Sequence, residues 1–367
     1  MQRPPETQSP SSHLPLFLGL GFALLVTLAW RPLPTGIWHD DGVYLLISKA
    51  LASGEGFTYA GVQGSPPAAK FPPLYSLVLT PFWLVGDDLA AGSGWVAALN
   101  VAFLAVAVSV FARFLIVHGG MRPWTATLVT AVAWCVPSVW RLTAIPLSEP
   151  LFMLATCLAL PASARLFRDD DRRRLAPFVL VFGAAYLTRT AGVALMAGAL
   201  AYLLWRKQLK TALSVGLMGA VFVVPWSLWS GAATASIDPP FRDLLGSYGS
   251  WLGAQVAAAP DVYLSAVTSN VRELATGLLS AAVPIAPGPS GWLLGALFTV
   301  ALLIGIGPAF RLNGLLVGYP LAYLGILLLW PYRSGRLIAP VIPFVILIAC
   351  LGALRLLERA RKRSEQR

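Results

Sequence analysis

The chain has 367 residues, of which 57% are hydrophobic and only 12% are charged, and its mean hydropathy is +0.71. A soluble protein of this length needs far more charge on its surface, so the composition excludes the soluble class. The formal net charge of +11 could indicate a nucleic-acid partner. Most of the surplus, however, lies in short loops between apolar runs, as it does in membrane proteins, so no nucleic acid is expected.

Apolar runs recur along the whole sequence, and roughly 17–25 apolar residues suffice to cross a bilayer. The first run lacks a small-x-small cleavage site before Arg31, so we interpret it as a span and not as a signal peptide. We therefore predict a single all-α membrane domain over residues 1–367 with about ten transmembrane helices. The predicted spans lie near 14–30, 94–117, 123–140, 149–166, 175–188, 190–205, 211–229, 291–309, 313–330 and 337–354.

The distribution of charge predicts the orientation. With the N-terminus in the cytoplasm, 18 of the 27 Lys and Arg residues lie on the cytoplasmic side, including those of a basic tail at 355–367. Ten of the 16 acidic residues lie on the other side. Cytoplasmic loops carry the basic excess in membrane proteins. We therefore expect a multi-pass protein of the cell (plasma or inner) membrane, with both termini inside and the loops 31–93 and 230–290 outside.

The two outer loops differ in character. The first should contain a helix near 42–52, ended by Gly54, and an apolar segment at 72–86 that is too short to span and should lie at the interface. The second is rich in Pro, Gly, Ser and aromatic residues, which favours short interfacial helices. The absence of an internal repeat weakens an inverted-repeat transporter interpretation.

The densest polar cluster, His39-Asp40-Asp41, follows the first span. Asp41 is the better N-cap candidate for a helix that begins at about Gly42. A carboxylate at a helix N-terminus stays ionised and can accept a proton, so the acidic pair is a candidate base. Tyr44 lies one turn after Asp40 and shares its face, where it could steady a bound acceptor. His39 is a weaker candidate for substrate binding.

Further candidates stand at the outer ends of spans. Lys70 precedes two prolines and could merely snorkel to the interface. Glu149 opens the fourth span, and Ser148 before it could simply cap that helix. Arg189 interrupts two short apolar helices, where it could pair with Glu149 or hold a phosphate. Arg336, in the last outer turn, could hold a phosphate or act as an interfacial anchor, as could Arg333.

The sequence contains no motif for nucleotide binding or for a metal site. No GxxxxGK[ST] loop and no GxGxxG turn after a strand is present. The cysteines, Cys135, Cys157 and Cys350, lie in apolar runs without metal-ligand spacing, so we expect small core residues, no disulfide and no zinc site. No metal site is predicted, and whether a divalent cation assists is left open.

The order of these residues resembles the GT-C superfamily of polytopic glycosyltransferases, which includes protein O-mannosyltransferases and lipid A aminoarabinose transferases. The resemblance rests on an acidic pair after the first span (Asp40 and Asp41), a Lys and Pro-Pro element (Lys70), an acid opening the fourth span (Glu149), a Thr-Arg break (Arg189) and an Arg before a Pro-containing last span (Arg336). It covers nearly the whole chain.

The resemblance implies transfer of a sugar from a polyprenyl-phosphate donor to a lipid, glycan or protein hydroxyl outside the cytoplasm. Asp40 would be the base, Asp41 or Glu149 would position sugar or acceptor, and three cations (Lys70, Arg189 and Arg336) would hold the departing phosphate. The family usually inverts the anomeric centre. Two alternatives remain: a transporter or flippase of lipid-linked sugars, and a non-catalytic assembly protein whose charges merely pair.

Overall fold

The computed structural model describes residues 13–29, 35–36, 40–86, 89–169, 174–282, 289–330 and 335–366. Within these ranges the chain forms sixteen α-helices and three 3₁₀ segments, and its one β-bridge, between Thr58 and Pro67, is isolated. The helices are α1 (Leu14–Ala29), α2 (Asp40–Ala52), α3 (Leu74–Trp83), α4 (Leu89–Val117), α5 (Pro123–Trp134), α6 (Pro137–Trp140), α7 (Glu149–Asp169), α8 (Leu175–Thr188), α9 (Val193–Trp205), α10 (Leu209–Ala235), α11 (Pro239–Leu245), α12 (Tyr248–Ala258), α13 (Pro260–Ala282), α14 (Pro289–Leu312), α15 (Leu315–Leu328) and α16 (Ile342–Glu365). The 3₁₀ segments are Arg141–Ala144, Thr190–Gly192 and Gly335–Val341.

The helices have the lengths and surfaces of membrane helices. Five are long and apolar enough to cross a bilayer, and five shorter helices are also apolar. Large apolar side chains such as Phe17 on α1, Leu217 on α10 and Trp292 on α14 are more than half exposed. Such side chains suit a hydrocarbon environment and not water. The prediction of an all-α polytopic membrane protein is confirmed.

The prediction of one continuous helix across the span at 123–140 is wrong. Helix α5 ends at Trp134, and α6 begins only at Pro137. Val136 is extended, with φ −104° and ψ 123°, in keeping with the steric bias of the residue before a proline against the helical region. The break also leaves Cys135 exposed, whereas Cys157 is buried as expected and Cys350 is half-buried.

The region 31–93 contains two helices that pack on each other. Helix α2 begins at Asp40, earlier than predicted, and the chain leaves it through Gly54, which has φ +79°. Helix α3 has 10 residues, about 15 Å at the α-helical rise, which is too short to span. The two helices share a separate small core with the end of α10 and with α11, built on Tyr44 and Tyr75.

The region 230–290 is helical almost throughout its described part. Helix α10 continues to Ala235, and α11, α12 and α13 follow it. The side-chain amide of Asn270 on α13 donates to the carbonyl oxygens of Leu328 and Trp330, at 3.0 and 2.6 Å. These bonds tie α13 to the end of α15. The predicted tail at 355–367 continues helix α16 as far as Glu365.

Candidate functional site

Four charged side chains from distant parts of the chain form one ion-pair network, which we call the charged cluster. Asp40 and Glu149 begin α2 and α7, Arg189 lies between α8 and the next 3₁₀ segment, and Arg336 lies in the 3₁₀ segment before α16. Glu149 Oε1 is 3.0 Å from Arg189 Nη1 and 3.0 Å from Arg336 Nε. Asp40 Oδ2 is 2.5 Å from Arg336 Nη2. Arg336 thus links the two carboxylates.

The two carboxylates of the charged cluster differ in exposure. The side chain of Glu149 is fully buried, whereas 18% of the Asp40 side chain is exposed. The side chains of Arg189 and Arg336 keep 14% and 10% of their surface exposed. Asp40 and the two arginine side chains therefore keep some accessible surface, whereas Glu149 keeps none.

Ser148 connects the charged cluster to α2. Its hydroxyl accepts a hydrogen bond from Arg189 Nη1 at 3.0 Å and lies 2.9 Å from the hydroxyl of Tyr44. The Tyr44 ring packs edge-on against Phe71 and Tyr75, at 5.1 and 5.0 Å between ring centroids. Burial raises the pKa of Tyr44 well above its ordinary value, so this hydroxyl stays protonated. Tyr44 therefore supports the side chains that position Arg189.

Asp41 turns away from the charged cluster. Because α2 begins at Asp40, Asp41 lies inside the first turn, and its interpretation as the residue that caps a helix starting at Gly42 is wrong. Its buried carboxylate accepts from the backbone N–H of Gly36 at 2.7 Å and of Gly42 at 3.0 Å. Asp41 thus fastens the preceding loop to the start of α2.

Lys70 lies beside the charged cluster and forms no ion pair with it. Its ammonium group donates to the carbonyl oxygen of Leu244 at 2.8 Å and lies 5.2 Å from the centroid of the Tyr248 ring. Burial lowers the pKa of Lys70, and the negative charge of Asp40 acts against this shift. Asp40 is thus the carboxylate whose charge favours the protonated form of Lys70.

Two tyrosines near the charged cluster were missed from the sequence. Tyr323 on α15 donates to the carbonyl oxygen of Leu337 at 3.0 Å, which holds the 3₁₀ segment that carries Arg336. Tyr248 packs edge-on against Phe71 at 5.9 Å and lies under Lys70. Neither has a sequence signal, because aromatic residues are common at the ends of membrane helices. The candidates His39 and Arg333 lie outside the described residues.

The described residues contain no group of three or more His, Cys, Asp or Glu side chains placed to share a metal ion. The charged cluster therefore offers acid–base and phosphate-binding groups: two carboxylates, two guanidinium groups and, beside them, one ammonium group. Such a set can accept a proton from a hydroxyl and stabilise negative charge on a leaving oxygen.

Two crystal structures of ArnT from Cupriavidus metallidurans, an aminoarabinose transferase, are similar to this chain. The structure bound to undecaprenyl phosphate has a TM-score of 0.61 and 16% identity, over 93% of this chain and 60% of ArnT. The apo structure has a TM-score of 0.57 and 15% identity, over 95% of this chain and 61% of ArnT.

No protein-family model and no curated protein matches the sequence. This chain spans about three fifths of the length of the ArnT structures. The likeness in fold extends over nearly all of its own helices. The chain therefore has the fold of the two ArnT structures, in agreement with the resemblance that its sequence predicted.

Proposed function

We propose that this protein is a glycosyltransferase that moves a sugar from a polyprenyl-phosphate donor to an acceptor hydroxyl on the non-cytoplasmic side of the membrane. The observation that carries the proposal is that Asp40, the accessible carboxylate of the charged cluster, contacts one of two arginines joined through buried Glu149. The undecaprenyl phosphate bound to ArnT supports a lipid phosphate as the ligand of this fold.

The reaction is a direct displacement at the anomeric carbon. The acceptor hydroxyl oxygen attacks that carbon and forms the new glycosidic bond, while the bond from the carbon to the phosphate oxygen breaks. The electron pair of the broken bond leaves with the polyprenyl phosphate, and the hydroxyl proton passes to Asp40. One base and one displacement invert the anomeric centre.

The cations act on the leaving phosphate. Negative charge grows on the phosphate oxygen as the bond breaks, and guanidinium groups already in position stabilise it without reorganisation. Arg189 and Arg336 are held by Glu149, and Lys70 adds a third positive charge. Tyr44 supports this arrangement through Ser148, and Asp41 lies in the first turn of α2. His39, which precedes Asp40 in the sequence, is proposed for substrate binding.

The proposal includes the arrangement in the membrane. Residues 1–367 form one transmembrane domain, with the regions 31–93 and 230–290 on the non-cytoplasmic side and the tail at 355–367 in the cytoplasm. The basic excess of 18 to nine across the two sides supports this orientation. It puts the charged cluster where an acceptor outside the cytoplasm can reach Asp40.

Asp40→Asn tests the proposal against a matched neighbour, Asp41→Asn. The first variant loses the base and should transfer sugar about 10²–10⁴ times more slowly while still binding the donor. The second keeps an oxygen that can accept from Gly36 N–H, so it should keep much of its rate and lose at most some stability. The measurement is the initial rate at which radiolabel leaves purified polyprenyl-phosphate sugars, together with donor binding.

A non-catalytic carrier of lipid-linked sugars would behave differently. It would release no label from the lipid in the unsubstituted protein, and Asp40→Asn would change transport or binding only. Full transfer activity in Asp40→Asn, or a loss confined to Asp41→Asn, would show that Asp40 is not the base.

A further inference from the structure

A cavity of about 680 Å³ lies between α4, α7 and α8, and it does not include the charged cluster. Three arginines and a histidine line it, which we call the basic cavity: Arg113, Arg165, Arg174 and His118. The remaining lining residues are apolar side chains of the three helices. None of the described residues that line it is acidic.

The basic cavity and the charged cluster lie at opposite ends of α7. Glu149 is the first residue of this helix, and Arg165 lies roughly 24 Å further along it. That distance is close to the hydrocarbon thickness of a bilayer, about 30 Å. The basic cavity is therefore a second site, near the opposite membrane surface from the charged cluster.

Two cations of the basic cavity, Arg113 and Arg165, are available to a ligand. Both are exposed, and neither forms an ion pair within the described part of the chain. Apolar side chains line the same cavity, among them Val110 and Phe114 from α4 and Leu158 from α7. Exposed positive charge beside apolar walls is complementary to a molecule with an anionic head and a hydrocarbon chain.

We propose that the basic cavity binds an anionic glycerophospholipid of the bilayer leaflet that faces it. The guanidinium groups of Arg113 and Arg165 contact the phosphate, and the apolar walls contact the start of an acyl chain. Arginine suits this ligand because its planar fork makes paired hydrogen bonds to phosphate oxygens. The site is independent of the donor proposed above, because it shares no residue with the charged cluster.

The test measures binding of phosphatidylglycerol to the purified full chain in detergent by native mass spectrometry. The double variant Arg113→Ala/Arg165→Ala should lose roughly tenfold or more in affinity, since a single charge-assisted contact can account for a factor of ten. The matched control is Arg122→Ala/Arg311→Ala, which removes the same charge from exposed arginines that do not line the cavity. The control should lose less than about twofold, because exposed charges at a distance are largely screened.

Two further ligands identify the source of the phosphate. Phosphatidylcholine, which has no net charge, should bind much more weakly than phosphatidylglycerol, and glycerol 1-phosphate, which has no acyl chains, should not displace it. Equal losses in the two double variants would overturn the proposal, since only net charge would then matter. Displacement by glycerol 1-phosphate at concentrations similar to the lipid would also overturn it, because the ligand would then be a soluble anion.

Discussion

Glu149 is the residue on which the charged cluster depends. A fully buried carboxylate without partners costs several kcal/mol, so it persists only where cations and hydrogen bonds compensate it. Two guanidinium groups approach the same oxygen, Oε1, at 3.0 Å each. The other oxygen, Oε2, accepts no hydrogen bond from any described residue. Glu149 thus holds two arginines side by side, and Arg189, whose Nε makes no hydrogen bond to a described residue, keeps donor capacity for another anion.

Arg189→Ala tests whether that capacity serves a phosphate. The substitution removes one guanidinium, while Glu149 keeps Arg336, so donor binding should fall by about 1.5–3 kcal/mol, or roughly ten- to a hundredfold. Arg272→Ala is the control, because Arg272 is exposed on α13 and shows no ion pair among the described residues. Arg242 is unsuitable, since it donates to the carbonyl oxygens of Ala235 and Ile237 at the end of α10.

A structural role of Arg189 gives a different result. Breaking a buried ion pair lowers stability, so the thermal midpoint of Arg189→Ala is measured beside its donor affinity. Arg189→Lys keeps the positive charge but loses the planar guanidinium group with its paired donors. Compared with Arg189→Ala, it should therefore restore the thermal midpoint more fully than the donor affinity. A lower midpoint with unchanged donor affinity would mean that Arg189 serves the fold alone.

At the scale of the residue, the sequence indicated which charged residues to consider together better than it indicated what each contacts. Asp40, Glu149, Arg189 and Arg336 stand out because charges are rare among apolar runs, and the structure brings all four together. The contacts of Asp41 were misjudged because α2 begins two positions before the expected Gly42, which makes Asp41 a first-turn residue and not a cap. The supporting tyrosine Tyr323 could not be found, since its contact with Leu337 depends on tertiary packing.

Helices α14 and α16, the second of which follows Arg336, pack closely at glycines. A side-chain carbon added at Gly305 on α14 would collide with the backbone carbonyl of Ile348 on α16. One added at Gly352 on α16 would collide with the carbonyl of Ala301 on α14. Small residues let membrane helices approach closely, and α16 continues the segment that carries Arg336. The position of Arg336 therefore depends on this contact.

Gly305→Ala tests the contact against Gly231→Ala on α10. The first should destabilise the protein by about 1–3 kcal/mol, the typical cost of overpacking. A side-chain carbon added at Gly231 would meet no atom within 4 Å, so the second should be neutral or stabilising by up to about 1 kcal/mol, because Ala favours the helix. The thermal midpoint in detergent is the measurement, and equal midpoints for the two variants would argue against a packing role.

Helix breaks were predictable where a polar residue marks them. Arg189 indicates the break between α8 and α9, because an arginine inside a continuous apolar helix would have no anionic partner. The break after Trp134 was missed, because a proline such as Pro137 can also lie inside a continuous membrane helix. The glycine contact of α14 with α16 was beyond prediction, because glycine is frequent in membrane helices whether or not it packs.

The whole molecule separates two kinds of charge. At one end Asp40, Glu149, Arg189 and Arg336 form a network with balanced charges, and at the other the basic cavity carries three arginines among the residues that line it. The fold class followed from composition and run length, because bilayer thickness fixes helix length. The assembly of four distant chain segments into one cluster did not, since nothing in a single sequence measures distance between helices.

The orientation of this charge separation is testable by cysteine labelling. We expect Gln63 outside and Ser364 in the cytoplasm, because cytoplasmic segments carry the basic excess. Both are exposed, whereas Ser65 is half-buried and has φ +42°, which makes it a poorer position for a probe. The background replaces Cys135, Cys157 and Cys350, of which Cys135 is exposed and would react.

In intact cells, a membrane-impermeant maleimide should label Gln63→Cys fully and Ser364→Cys only after permeabilisation. Two properties make the outcome decisive. Each position belongs to a different side by the basic count of 18 to nine, so the two labels must exchange if the orientation is inverted. Ser364 also lies near the end of α16, the helix that follows Arg336, so its label reports the side opposite the charged cluster. Labelling of Ser364→Cys but not Gln63→Cys in intact cells would place Asp40 in the cytoplasm and rule out an acceptor outside it.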